Sequence, residues 1–241
     1  MHRPRLRAQL AALALALAVM TGLAPLSPSA AVDTSRTPIA GAIPATGAWT
    51  GTVTVWRSTA FASQATSVWC TAAATQMMLN LMLDRSRHDS TEQGAIMKYA
   101  QANDSLAVSD GSDPQGWTAA LRWFGSSRAS TYHWERKASY AAAIASAAYK
   151  LRMTGKPIGL LVYGGKHANV MVGFKATTDP ALGGSYTVTS VQIAGPWYPR
   201  TGVDSAPGTW LSSATMSSRF YRYAERDGLT DWVGYWVSLV P

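Results

Sequence analysis

The chain has 241 residues, 47% hydrophobic and 14% charged, with 10 Trp, 10 Tyr, a single cysteine (Cys70) and a formal net charge of +8. That much apolar and aromatic material excludes a disordered chain, and one cysteine excludes an internal disulfide or a cysteine-rich zinc site. No metal or cofactor is called for, and the lone thiol is the feature that needs a reason.

The chain opens with Arg3, Arg5 and Arg7, an apolar run from Leu10 to Met20, and then Gly22, Pro25 and small residues through Ala31. This is the pattern of a secretory signal peptide over 1–31, cleaved near Ala30 or Ala31. The run is shorter than the roughly 20 residues that span a bilayer, so a secreted protein is expected, with no membrane partner after cleavage. Removing three arginines leaves 18 basic against 13 acidic side chains, a net +5. The remaining basic residues are scattered and carry no RNP box or helix-turn-helix pattern, so no nucleic-acid partner is expected. A solvated basic surface of this kind favours association with an anionic cell wall.

Residues 32–48 are rich in Thr, Pro, Ala and Gly without periodicity, which predicts a linker or short leader before a single domain over 49–241. Trp49 to Trp56 alternates and is β-branched, predicting a strand. From Cys70 to Leu83 only Thr71, Thr75, Gln76 and Asn80 are polar, so a helix buried nearly all round is expected. Further helices are predicted over Thr91–Ala102, over Pro114–Phe124 with Pro in the first turn, and over Ser139–Arg152, stopped by Gly155-Lys156-Pro157. Beyond that stop the period changes. Ile158–Tyr163, His167–Lys175, Ser185–Ala194 and Trp232–Val240 read as strands between Gly-Gly and Asp-Pro turns. Helices first and sheet second is an α+β plan, and a monomer is expected.

A free thiol in an exported protein is open to oxidation, and this one stands where Gln64-Ala65-Thr66-Ser67-Val68-Trp69 runs into the buried helix. The positive end of a helix dipole stabilises a thiolate, and a nearby imidazolium does so further. The alternative is an inert core cysteine. A nucleophile needs a base, and residues 32–241 offer His88, His133 and His167. His88 sits in a charged turn and reads as solvated. His133 lies between Tyr132 and Trp134 in an edge-strand pattern and reads as packing. His167 follows Gly164-Gly165-Lys166 and opens a strand, where it can project into a cleft. Gln64, six residues before Cys70, could share oxyanion binding with the backbone N–H at the nucleophile.

Together these segments resemble the papain-like cysteine peptidases, specifically their bacterial C39-like branch. The matching residues are Gln64 to Ala74, Lys156-Pro157-Ile158 through Gly164-Gly165-Lys166-His167-Ala168, Val172-Gly173-Phe174, and Val191 through Gly195-Pro196-Trp197. The resemblance implies a papain-like fold, with a helical lobe carrying Cys70 packed against an antiparallel sheet carrying His167. It further implies Cys70 as nucleophile, His167 as base and then acid, and Gln64 as oxyanion donor. One position departs from the pattern: where the family places Asp or Asn to hold the histidine, this chain has Gly195. Gln192, Asn169, Asp204, a backbone carbonyl or a water could each take that role, and the sequence assigns it to none.

Two readings follow. In the first the protein is a secreted cysteine peptidase, a thiol hydrolase acting on peptides or proteins through a Cys70 thioester. In the second it is a catalytically silent papain-like protein that binds peptides or cell-wall components, with Trp197, Tyr198 and Trp210 lining the surface. Transglutaminases and NlpC/P60-type wall hydrolases share the Cys and His logic but have a much shorter Cys-to-His separation.

Overall fold

The computed structural model describes residues 49–108, 110–200 and 202–241, so the expected signal peptide and linker lie outside the described residues. The first strand, β1 (Thr52–Thr54), is followed by three helices, α1 (Cys70–Leu83), α2 (Ser90–Gln101) and α3 (Pro114–Gly125). Then come β2 (His133–Lys137), α4 (Tyr140–Thr154), β3 (Ile158–Val162), β4 (His167–Ala176), β5 (Val188–Ala194), β6 (Thr209–Ser212), α5 (Ser213–Ser217) and β7 (Trp236–Val240). The strands form one antiparallel sheet in the order β2-β7-β3-β4-β5-β6, with β1 paired to β4 beyond the end of β3. The protein is thus a mixed helix and antiparallel-sheet, α+β, structure.

The helices form where apolar periodicity and caps agree. Asp89, Asp113 and Ser139 each accept a first-turn N–H at the start of α2, α3 and α4, Pro114 occupies the first turn of α3, and Gly155 ends α4 in the left-handed conformation. Both faces of the sheet are covered. On one, Met77, Met78, Leu79, Ile96, Trp117 and Leu121 of α1–α3 pack on Ala168, Val170 and Val172 of β4. On the other, Ile144, Ala147 and Leu151 of α4 pack with Ile158, Met171, Val191 and Phe220. The all-round apolar character of α1 follows from its place: every residue from Thr71 to Asn80 is buried.

Several expectations are corrected. The Trp49–Trp56 strand shrinks to three residues, because β3 already pairs with His167–Met171 and leaves β1 only Gly173–Lys175 of that edge. The final strand starts at Trp236, since Gly234 takes a φ of +84° and turns the chain; Trp232 is nonetheless buried in the core. The helices do not all precede the sheet, because β1 comes before them and β2 pairs with β7 at the sheet edge. His133 opens β2 but is exposed, so it does not pack. Trp210 lies in β6, where the Lys175 ammonium sits 4.9 Å from its ring centroid.

Candidate active site

Cys70 is the first residue of α1 and is partly exposed. Among the five α-helices of the described residues, α1 alone has no side chain capping its N-terminus; Trp69 precedes it with no cap bond, whereas the other four begin on Asp or Ser caps. Its first helical bond runs from Ala73 N–H to the Trp69 carbonyl, which leaves the earlier N–H groups unspent inside the helix. An uncapped helix start at a cysteine concentrates positive potential and donors where a thiolate or an oxyanion would sit.

His167 opens β4 and is 6% exposed. Its Nε2 lies 2.8 Å from Oδ2 of Asp204, which leaves Nδ1 as the ring atom not engaged by Asp204, and Cys70 and His167 line the same cleft. Burial disfavours the charged imidazole. The hydrogen bonds and charges of Asp204 and Cys70 outweigh that burial and raise the His167 pKa to about 9. The imidazole is therefore held as a cation between two groups able to carry negative charge.

The gap at Gly195 closes here. A Cβ built on Gly195 would fall 2.1 to 2.4 Å from the carboxylate atoms of Asp204, so that carboxylate occupies the space a side chain at 195 would need. Asp204 arrives from the loop between β5 and β6, and its side chain is fully buried. Its Oδ2 also accepts the Trp197 N–H at 2.8 Å, and its Oδ1 accepts from Nδ2 of Asn169 at 3.3 Å. The Trp197 ring stands edge-on to His167 at 6.1 Å and shields the pair from water. Of the candidates open from sequence, Asn169 thus supports Asp204 and does not touch the histidine ring. Gln192 bonds Thr54 and the Gly208 carbonyl instead.

Gln64 is placed differently from Cys70 and His167. It is buried, its Nε2 donates to the Thr66 carbonyl at 2.7 Å, and it is not among the residues lining the cleft. One amide hydrogen is left over from that bond. Its loop is tightly held: Gln64 N–H donates to the Pro196 carbonyl, and Gln93 of α2 brackets it, donating to the Ser63 carbonyl and accepting the Ala65 N–H. Of the other histidines, His88 is exposed, as expected from its charged turn.

The cleft at this site holds about 550 Å³ and is lined by Cys70, Thr71 and His167 together with Tyr163, Trp197 and Arg226, among others. Trp197 of the three aromatics singled out from sequence lines it; Tyr198 stands edge-on to Phe61. Among the described residues, no group of three or more His, Cys, Asp or Glu could hold a metal ion. The residue that sequence reasoning left unassigned is Asp204. It is the one acid between Asp179 and Glu225, which marks it in the sequence without saying where its loop carries it. Compared with protein-family models, with curated proteins and with solved structures, the chain matches none.

Proposed function

We propose that the protein is a papain-like thiol hydrolase that cleaves peptide bonds through a Cys70 thioester, exported by the signal peptide over 1–31. The observation that carries the proposal is Cys70, at the uncapped start of α1, and the His167–Asp204 pair brought together on one cleft. A helical layer bearing the nucleophile against a sheet bearing the base supports a papain-like reading of the α+β fold. The Cys70 thiolate attacks the carbonyl carbon of the scissile bond. The resulting oxyanion is held by unspent N–H groups at the start of α1, joined by the second amide hydrogen of Gln64 once that side chain, which does not line the cleft, turns toward it. His167 gives its proton to the leaving amine as the C–N bond breaks, leaving a thioester. Neutral His167 then takes a proton from water, whose oxygen attacks the thioester and returns Cys70. Asp204 holds the ring in orientation throughout and stabilises its cationic form. The reading as a silent binder rested on Gly195 together with Trp197, Tyr198 and Trp210, and a carboxylate supplied from Asp204 answers the first of these and favours the hydrolase.

Cys70 is the only thiol, so labelling reads the site directly. Iodoacetamide at pH 7 should alkylate the parent at least about tenfold faster than a free cysteine peptide, and His167→Ala should remove the advantage. A parent that reacts no faster than the peptide would refute the proposal.

A further inference from the structure

We infer that Tyr163 is a positioning residue that locks the loop carrying Asp204 against the His167 ring. The inference rests on the proposed Cys70–His167–Asp204 site and assigns what holds it together.

The reason starts with the chain. A carboxylate at position 195 would sit directly after β5, fixed by the sheet. Asp204 instead hangs from the connection between β5 and β6, which must be tied down if its carboxylate is to keep a 2.8 Å bond to Nε2. The Trp197 and Asn169 contacts restrain the carboxylate itself. Tyr163 restrains the backbone: its hydroxyl donates to the Val203 carbonyl at 2.9 Å, one residue from Asp204. Its ring stacks on His167 with centroids 6.2 Å apart and planes 28° from parallel. One side chain thus touches the base and the segment that delivers the base's partner.

The backbone at Tyr163 says the side chain is wanted there. Tyr163, Gly164 and Gly165 have φ of +54°, +68° and +87° in succession. The last two are glycines, which adopt this region freely, whereas a tyrosine there is disfavoured. A third glycine would remove the strain. Its N–H bond to the Arg219 carbonyl at 2.7 Å is available to any non-proline residue, so the cost is repaid by the ring and the hydroxyl. Burial is the largest influence on the phenol and, with the charge of Asp204 adding to it, raises the pKa above its ordinary value; the hydroxyl stays a donor.

The test uses Tyr163→Phe, which keeps the ring and the stack and removes one hydroxyl. The full chain without its leader is followed by NMR titration of the His167 imidazole, assigned with His167→Gln, and by alkylation of Cys70. Both are measured in the parent, Tyr163→Phe, Asp204→Asn and the double variant. In Tyr163→Phe the His167 midpoint should fall from about 9 by at least about one unit toward 6.5, a tenfold change in its proton affinity, with slower alkylation at pH 7. In the Asp204→Asn background the same change should add nothing, because Tyr163 acts through Asp204. A Tyr163→Phe titration that overlays the parent, or an equal loss in both backgrounds, overturns the inference and leaves the hydrolase reading standing. A parent whose His167 titrates near 6.5 and whose Cys70 reacts as a free thiol overturns both.

Discussion

At the scale of single residues, the site differs from the expected pattern by moving one carboxylate along the chain. Gly195 and Asp204 are complementary: the first has no side chain because the second fills its space. Asp204→Asn keeps the shape and removes the charge, so any peptide turnover should fall by about 10²- to 10⁴-fold and alkylation of Cys70 should fall toward the rate of a free cysteine peptide. The upper bound is the loss seen when a serine protease loses its orienting carboxylate, and a thiol depends less on its base. Gly195→Asp alone forces two carboxylates into one space and should be equally impaired. Gly195→Asp combined with Asp204→Gly returns the carboxylate to the strand end and should recover part of the rate; a double variant worse than either single one would show that the two positions are not interchangeable. Cys70 and His167 were legible in the sequence because each announces itself locally, the thiol at a helix start and the imidazole after a Gly-Gly turn. Asp204 was not, because its role depends on where a long loop folds back, and nothing within that loop records its destination.

At the scale of elements, the four long helices α1 to α4 were legible to within about two residues, from periodicity and from the Asp, Ser, Pro and Gly signals at several of their ends, whereas the five-residue α5 was not expected. The edge strands were harder: β2, which reads HWERK, showed only as an edge-strand pattern around His133, and β6, which reads TWLS, is too short to show a period. The loop before α1 owes its shape to buried amides. Gln93 is fully buried and spends its side chain on the Ser63 carbonyl, the Ala65 N–H and Oε1 of Gln76, while Gln76 reaches the Asp89 carbonyl and Glu92. Gln93→Leu leaves the buried Oε1 of Gln76 without its donor and takes the partners from the Ser63 carbonyl and the Ala65 N–H on either side of Gln64. It should cost about 1 to 3 kcal/mol of stability in chemical denaturation. It should also lower kcat more than it raises KM, because a displaced Gln64 affects the oxyanion and not the bound peptide. Unchanged stability would mean that water replaces the amide, and an effect confined to KM would remove Gln64 from oxyanion binding.

At the scale of the whole molecule, the buried charge at His167 ties folding to pH. Its folded pKa of about 9 lies above the ordinary 6.5, so its contribution is fully present below about pH 6.5, shrinks as pH rises, and is gone above about pH 9. The full effect is on the order of 3 kcal/mol. Denaturation midpoints measured at pH 6, 7.5 and 9.5 should fall across that window in the parent and much less in His167→Ala; parallel curves would disprove the coupling. Buried pairs elsewhere, such as Arg152 with Asp179 at 2.8 Å, hold the opposite face of the sheet and are not part of this response. The three reacting groups come from a helix, a strand and a loop, with His167 and Asp204 alone 37 positions apart. Such distant segments meet only when the sheet has closed over the helical layer. A nascent or unfolded chain therefore carries an ordinary thiol, with neither His167 nor Asp204 beside it. Under the proposed function, reactivity begins only as folding finishes, so its onset is written into the topology.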